Sequence, residues 1–279
     1  VMERCLYNGT ISGVSLDGDR FFYENPLTSI GDHHRQEWFG CACCPPNIAR
    51  LLASIGGYAY STAEGAIYAH LFAESEADIE LGGRNVRIET ETGYPWKEKV
   101  LFEVHPDEPA TFTLAVRVPG WCRNSTVKVN EEPVEIAPLM KRGYVHLRRR
   151  WVPGDRVELV LSMPVERMEA RPEVREDAGR VALQRGPVVY CLEEVDNGPF
   201  LHDLSLPRDA DIEAEFRPEV LGGVTVLRCE GLREEGPSWE SRLYRPLASR
   251  PEPTSITAVP YFAWDNRAAG EMLVWIRQG

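Results

Sequence analysis

The chain has 279 residues, 43% hydrophobic and 27% charged, which is ordinary for a globular protein of about two domains. Its net charge of −12 argues against a nucleic-acid binder, because phosphate recognition needs clustered Lys and Arg, and against an anionic membrane surface. No apolar run reaches the length of about 18 residues that a bilayer-spanning helix needs.

The first residues, Val1-Met2-Glu3-Arg4-Cys5-Leu6, lack the basic start and apolar block of a leader. They read instead as the middle of an amphipathic helix, with Val1, Met2, Cys5 and Leu6 on one face. The chain therefore reads as the later part of a longer protein, and its start reports no compartment. Asp17-Gly18-Asp19 marks a turn, Arg20-Phe21-Phe22-Tyr23 an apolar segment, and Asn25-Pro26 a stop. Residues 28–37 are polar and expected to form a surface loop, with His33 and His34 as solvated histidines. The cluster Cys41-Ala42-Cys43-Cys44 follows, and then Pro45-Pro46, which suit a first helical turn because proline's missing N–H is harmless there. Ile48, Leu51, Leu52 and Ile55 recur at helical spacing as one buried face, and Gly56-Gly57 supplies the stop.

From Ala66 the hydrophobic period becomes two. Strands are expected at 66–71, 86–92, 112–118, 144–147, 157–161, 181–183, 188–192, 224–229, 255–259 and 272–276. Short strands with turn signals at this spacing suggest β-sandwiches. Arg171-Pro172-Glu173 reads as the boundary between two such modules.

Seven cysteines without regular spacing make a poor disulfide framework. Reduced thiols suit the cluster better and favour a cytoplasmic setting. A thiolate is both a zinc ligand and a nucleophile, and either role needs a lowered pKa, which a helix N-terminus promotes. Two neighbouring thiolates do not complete a zinc site, which takes four ligands, or three and an open position. Compact buried packing of the cluster is the alternative, and plain packing or surface exposure is expected of Cys5, Cys122, Cys191 and Cys229. Trp96, Trp121 and Trp264 could stack on sugars, but burial is the simpler role for each.

Three segments, Val1–Gly9, Leu16–Leu27 and Trp38–Arg50 with its Cys-Cys-Pro-Pro-Asn core, together resemble glycoside hydrolase family 127, the β-L-arabinofuranosidases. Gly186–Tyr190 and Ala263–Arg267 fit the same pattern in order. The resemblance implies a mostly β chain: the C-terminal helices of a truncated (α/α)6 barrel over 1–63, a β-sandwich over 64–165 and a second over 166–279. It also implies a retaining glycosidase with a zinc-bound cysteine nucleophile. Cys43 matches that nucleophile and zinc ligand, Cys44 a second ligand, and Tyr23 a tyrosine near the sugar, whereas Cys41 is not a ligand. The family's ligating Glu-x-Cys motif and its acid/base glutamate fall upstream of Val1, so nothing here, Glu37 included, is promoted to replace them. The implied partner is an oligosaccharide or glycan, with no nucleic acid and no membrane, and with a homodimer left open. The competing reading is a non-catalytic β-sandwich module that binds carbohydrate or mediates assembly.

Overall fold

The computed structural model describes all 279 residues. It is mostly β, with three sheets and little helix: Met2–Cys5, Cys44–Ser54 and Glu194–Asn197, besides π and 3-10 turns. The backbone clusters into two units. One joins residues 1–48 to 165–279, and the other is residues 49–164.

The second unit is a two-sheet sandwich. Tyr60–Ala63, Ala66–Ala69, Ala110–Arg117, Met140–Lys141 and Tyr144–Trp151 form a five-stranded sheet. The other sheet has six strands, including Arg84–Thr92, Lys99–Pro106 and Asp155–Leu161. The period-two pattern puts alternate side chains on one face. Val100, Phe102 and Val104 with Val157, Leu159 and Leu161 line one wall of the core; Phe112, Leu114, Val116, Val145 and Leu147 line the other. Each such side chain contributes about 1.5–3 kcal/mol relative to exposure. Trp151 is fully buried and donates its Nε1–H to the Phe112 carbonyl at 3.1 Å, so its one polar atom is satisfied.

The first unit is built on a single ten-stranded sheet. Val188–Glu193 pairs with Arg180–Arg185 as well as with Arg250–Pro260. The strands Arg180–Arg185, Val188–Glu193, Arg250–Pro260, Val224–Glu235, Leu204–Leu206 and Ile276–Gln278 thereby close a circuit. The first two are joined by a tight Gly186-Pro187 turn in which Gly186 takes φ +56°, the left-handed value a two-residue hairpin turn requires. Val165–Met168 already pairs with Arg180–Arg185. Arg171-Pro172-Glu173 is therefore a connection inside this sheet and not a boundary between modules. Thr28–Ser29, from the N-terminal stretch, adds a strand against Met272–Leu273.

The amphipathic helix expected at the start is a single α turn that widens to a π turn over Leu6–Thr10. Its expected apolar face is turned outward, with Val1 and Cys5 exposed, while Glu3 is buried. The Asn8 side chain fixes this orientation: it donates to the Pro187 carbonyl and accepts from the Val189 N–H, both at 2.8 Å. The Cys44–Ser54 helix forms where the Pro-Pro start and the Ile48/Leu51/Ile55 spacing place it. Those three side chains are half-buried, and Leu52 is exposed.

Candidate functional site

The site begins with alternation along the segment Phe21–Tyr23. Single bridges tie Phe21 to Val14 and to Gln36, so the backbone here is extended. Successive side chains then point opposite ways. Phe22 points inward, 3% exposed, stacked on Trp264 at 4.8 Å and on His33 at 5.0 Å. The Arg35 guanidinium lies over the same ring, 4.2 Å from its centroid. Tyr23, pointing the other way, meets the cysteine cluster, with its ring held edge-on by Phe39 at 4.7 Å.

The Tyr23 hydroxyl donates to the Cys41 carbonyl at 2.6 Å and lies 2.7 Å from Cys43 Sγ. A phenol has one proton. With Cys43 as a thiol, its S–H donates to the Tyr23 oxygen while Tyr23 donates to Cys41. With Cys43 ionised, Tyr23 donates to the sulfur. This contact is the largest cause holding the Cys43 thiol below its ordinary pKa, with the contact to Cys44 next. The bond to Cys43, with desolvation next, pushes the Tyr23 hydroxyl well up. Cys44 moves the other way, raised by desolvation first and by Cys43 second. The two thiols thus differ in character although adjacent: Cys43 is the exposed, more acidic one.

Local backbone explains the placement. Cys44 is the first residue of the helix, in its first turn and not before it. Cys43 stands at the helix start, where the Asn47 side chain donates to its carbonyl at 2.8 Å. The sulfurs of Cys43 and Cys44 are 3.7 Å apart. Two donors of a tetrahedral thiolate site with bonds of about 2.3 Å lie about 3.8 Å apart, so this pair has the spacing of one edge of such a site. No group of three or more His, Cys, Asp or Glu in the chain is arranged to hold a metal ion.

The structure brings Tyr23, Cys43 and Cys44 together and leaves the other candidates out. Glu37 is a solvated carboxylate, weakly paired with Arg20 at 3.7 Å. All seven cysteines are free. Cys191 and Cys229 are buried, and burial pushes the Cys229 thiol up to about 11. Trp121 and Trp264 are core residues.

Residues 28–37 are largely exposed, His34 included, as expected of a surface loop, but Ser29 and Arg35 are buried. Arg35 is 4% exposed. Its guanidinium donates to the carbonyls of Trp264, of Ser12 at 2.8 Å and of Phe262 at 3.2 Å. Burial lowers its pKa to about 10, so it stays charged at neutral pH. His33 is half-buried in the Phe22 stack. His34 bonds Asp265 Oδ1 through Nδ1 at 2.7 Å and the Gly31 carbonyl through Nε2 at 3.1 Å. Both partners are acceptors, so the ring is satisfied as an imidazolium, and the bond to Asp265 is the main cause raising its pKa. Two of these acceptors, Trp264 and Asp265, lie far off in sequence in the Ala263–Arg267 stretch, whose Asp-Asn-Arg run was the one available signal.

Comparison with known proteins places this arrangement. The β-L-arabinofuranosidase catalytic-domain description of glycoside hydrolase family 127 matches residues 1–57. Its middle domain matches residues 66–163, and its C-terminal domain matches 165–277. Nearly all of the chain thus matches domains of a glycoside hydrolase. More narrowly, the chain belongs to glycoside hydrolase family 127. It is 36% identical to a non-reducing end β-L-arabinofuranosidase of Bifidobacterium longum subsp. longum, aligning over 100% of this chain and 45% of that protein. It is 50% identical to a β-L-arabinofuranosidase of known structure from Geobacillus stearothermophilus T6, with TM-score 0.95, over 100% of this chain and 46% of that one. A further family member, a β-arabinofuranosidase, superposes with TM-score 0.93 at 34% identity, covering 100% of this chain and 45% of that one. The chain spans less than half the length of these relatives.

Proposed function

We propose that this chain is part of a retaining glycosidase that releases β-L-arabinofuranose or a related sugar from glycans, with Cys43 as nucleophile. The observation that carries the reading is the Tyr23–Cys43 contact: an exposed sulfur at a helix start, held by a phenol that donates to it when it ionises. Residues 1–63 are read as the C-terminal end of an (α/α)6 catalytic barrel.

The chemistry follows the two-step retaining logic with sulfur in place of a carboxylate. The Cys43 thiolate forms a C–S bond to the anomeric carbon as the glycosidic C–O bond breaks. A carboxylic acid, expected upstream of Val1, protonates the departing oxygen. Water, deprotonated by the same carboxylate, then displaces the sulfur. The Tyr23 O–H follows the charge: it donates to the sulfur while the thiolate is free and swings to the Cys41 carbonyl once Sγ is alkylated.

The spacing of the Cys43 and Cys44 sulfurs supports these two as half of a zinc ligand set. Bound zinc would keep the sulfur ionised at neutral pH and make it a better leaving group. In this reading Cys44 serves as ligand only.

The test is hydrolysis of a nitrophenyl β-L-arabinofuranoside by the complete gene product. Turnover should be lost in Cys43→Ser, and the 279-residue chain alone should be inactive. Retained turnover in the serine variant would overturn the assignment.

A further inference from the structure

The two sheets of the unit at residues 49–164 differ sharply in charge. None of the five strands of the smaller sheet contains an Asp or Glu, although the chain has 43 Asp and Glu against 31 Lys and Arg. The six-stranded sheet is the reverse: Glu76, Glu89 and Glu103 stand opposite one another across three of its strands. We infer that the outward face of the five-stranded sheet is a non-catalytic binding site for an acidic glycan segment, a run of sugars that carry carboxylates. The choice of a glycan among anions rests on the proposed function; the basic character of the face does not.

Register decides which side chains look outward. Val145 and Leu147 are in the core, so Tyr144, His146, Arg148 and Arg150 point the other way. Tyr144 stands opposite both Lys141 and Arg117. One face therefore carries Lys141, Arg117, Arg148 and Arg150 and no carboxylate. The side chains of Lys141, Arg148 and Arg150 are exposed and make no hydrogen bond or ion pair. Glu132, on the edge of the other sheet, lines a groove with Arg148 but forms no ion pair with it. Cations gathered on one face repel each other, and an anionic ligand relieves that repulsion. Arg148 and Arg150 are about 7 Å apart along their strand, so one extended chain laid on it meets both.

The same face holds a group of rings over Ala115, which stands in register between Tyr68 and His146. Tyr68 meets Tyr144 edge-on at 5.5 Å and His146 at 5.8 Å, and stacks on His70 at 6.2 Å. The Ser61 and Tyr144 hydroxyls each bond a ring nitrogen of His70 at 2.7 Å, which fixes the group. Burial, with Arg117 next, holds His70 below its ordinary pKa, so at neutral pH it supplies a ring and not a charge. The four rings are half-buried and offer apolar contact to sugar C–H groups, while the guanidiniums take carboxylates through paired N–H donors. Duplex nucleic acid fits poorly, because it brings one charge per about 1.7 Å toward a protein of net charge −12.

The experiment is affinity electrophoresis of the complete gene product carrying Cys43→Ala, in native gels containing polygalacturonate, neutral arabinan or duplex DNA. Polygalacturonate should retard the protein, and added salt should release it. The two neutral or phosphate polymers should retard it far less. Adding Arg148→Ala with Arg150→Ala should weaken polygalacturonate binding about tenfold, as expected for loss of charged hydrogen-bond donors. Both side chains are exposed and unpaired, so thermal unfolding should be unchanged. No retardation by polygalacturonate, an undiminished one in the arginine variant, equal retardation by arabinan or by DNA, or a change of oligomeric state in the variant on gel filtration would overturn the inference. Retardation reads no hydrolysis, so a failure of the cysteine mechanism shows only in the turnover assay. Loss of retardation alongside intact wild-type turnover removes this site alone.

Discussion

Removing the Arg35 guanidinium should destabilise the N-terminal stretch and the C-terminal sheet together. In Arg35→Ala, the carbonyls of Trp264, Ser12 and Phe262 each lose a donor, although Trp264 keeps a longer bond from Asn266 Nδ2 at 3.3 Å. Losing a donor at a buried acceptor costs up to about 1–3 kcal/mol, and the lost contact with the Phe22 face adds about 0.5–1 kcal/mol. Relief of the buried charge offsets part of this, since desolvation is the main influence on Arg35. The expected net loss is about 3–4 kcal/mol. At about 2–4 °C per kcal/mol for a body of 150–250 residues, Tm should fall by about 10 °C. Circular-dichroism melts at pH 7, with urea titrations alongside, measure it. Arg35→Met separates the causes, because it keeps apolar volume over Phe22 but donates nothing. Met should fall close to Ala. A Met variant near wild-type stability, or an Ala variant that loses less than about 1 kcal/mol, would refute the carbonyl-clamp reasoning.

His34 should make a small pH-dependent contribution. Its folded pKa is raised above the unfolded value of about 6.5 by Asp265, so its stabilisation is complete below that value and fades as pH rises through the folded pKa. The pair is partly exposed and worth under about 1 kcal/mol. The Tm gap between wild type and His34→Gln should therefore be wider at pH 6 than at pH 9; a gap that widens toward pH 9 contradicts the assignment. Tyr23→Phe keeps the ring against Phe39 but removes the donor to Cys43. Alkylation of Cys43 by iodoacetamide, followed by peptide mass spectrometry, should then need higher pH, and an unmoved midpoint would show that the phenol does not hold the thiolate. Cys44→Ser in the complete gene product should lower zinc retention on dialysis against a chelator. The 279-residue chain alone should retain zinc weakly, and tight one-to-one binding by it would mean that two sulfurs are not its whole ligand set.

Much of the β architecture was legible because burial on one face imposes a period of two. Strands such as Val86–Thr92 and Val157–Leu161 show it directly and form within wider observed spans. What local pattern does not encode is pairing between distant strands. The closure of the ten-stranded sheet depends on Val188–Glu193 bonding on both edges, and the place of Arg171–Glu173 inside it depends on Val165–Met168 pairing across the turn. The same limit explains Arg35. Its surroundings in sequence are polar, and two of its acceptors lie 229 and 227 residues away. Cys43 and Cys44 were legible because their chemistry is local, set by two adjacent thiols and a Pro-Pro helix start. Tyr23 was reachable only through the family resemblance, since eighteen residues separate it from Cys41 and twenty from Cys43.

These two kinds of residue, the legible and the hidden, turn out to be mechanically connected. Glu193, on a strand of the C-terminal sheet, is buried and held by Arg267. It accepts from the Asp265 N–H, and Asp265 adopts φ +57°, a left-handed backbone that a non-glycine residue keeps only when its neighbours hold it there. In that conformation its carboxylate takes both His34 and the Arg35 backbone N–H. Arg35 in turn covers Phe22, and Phe22 is one residue from the phenol that touches Cys43, the proposed nucleophile. A thiol on a helix start has a lowered pKa but an undetermined rotamer. The rotamer here is set by a phenol whose own position is fixed by an inward-facing neighbour, and that neighbour is clamped from the β module. The C-terminal sheet, which supplies none of the three proposed site residues, therefore acts on the site through geometry: it determines where Tyr23 meets Cys43.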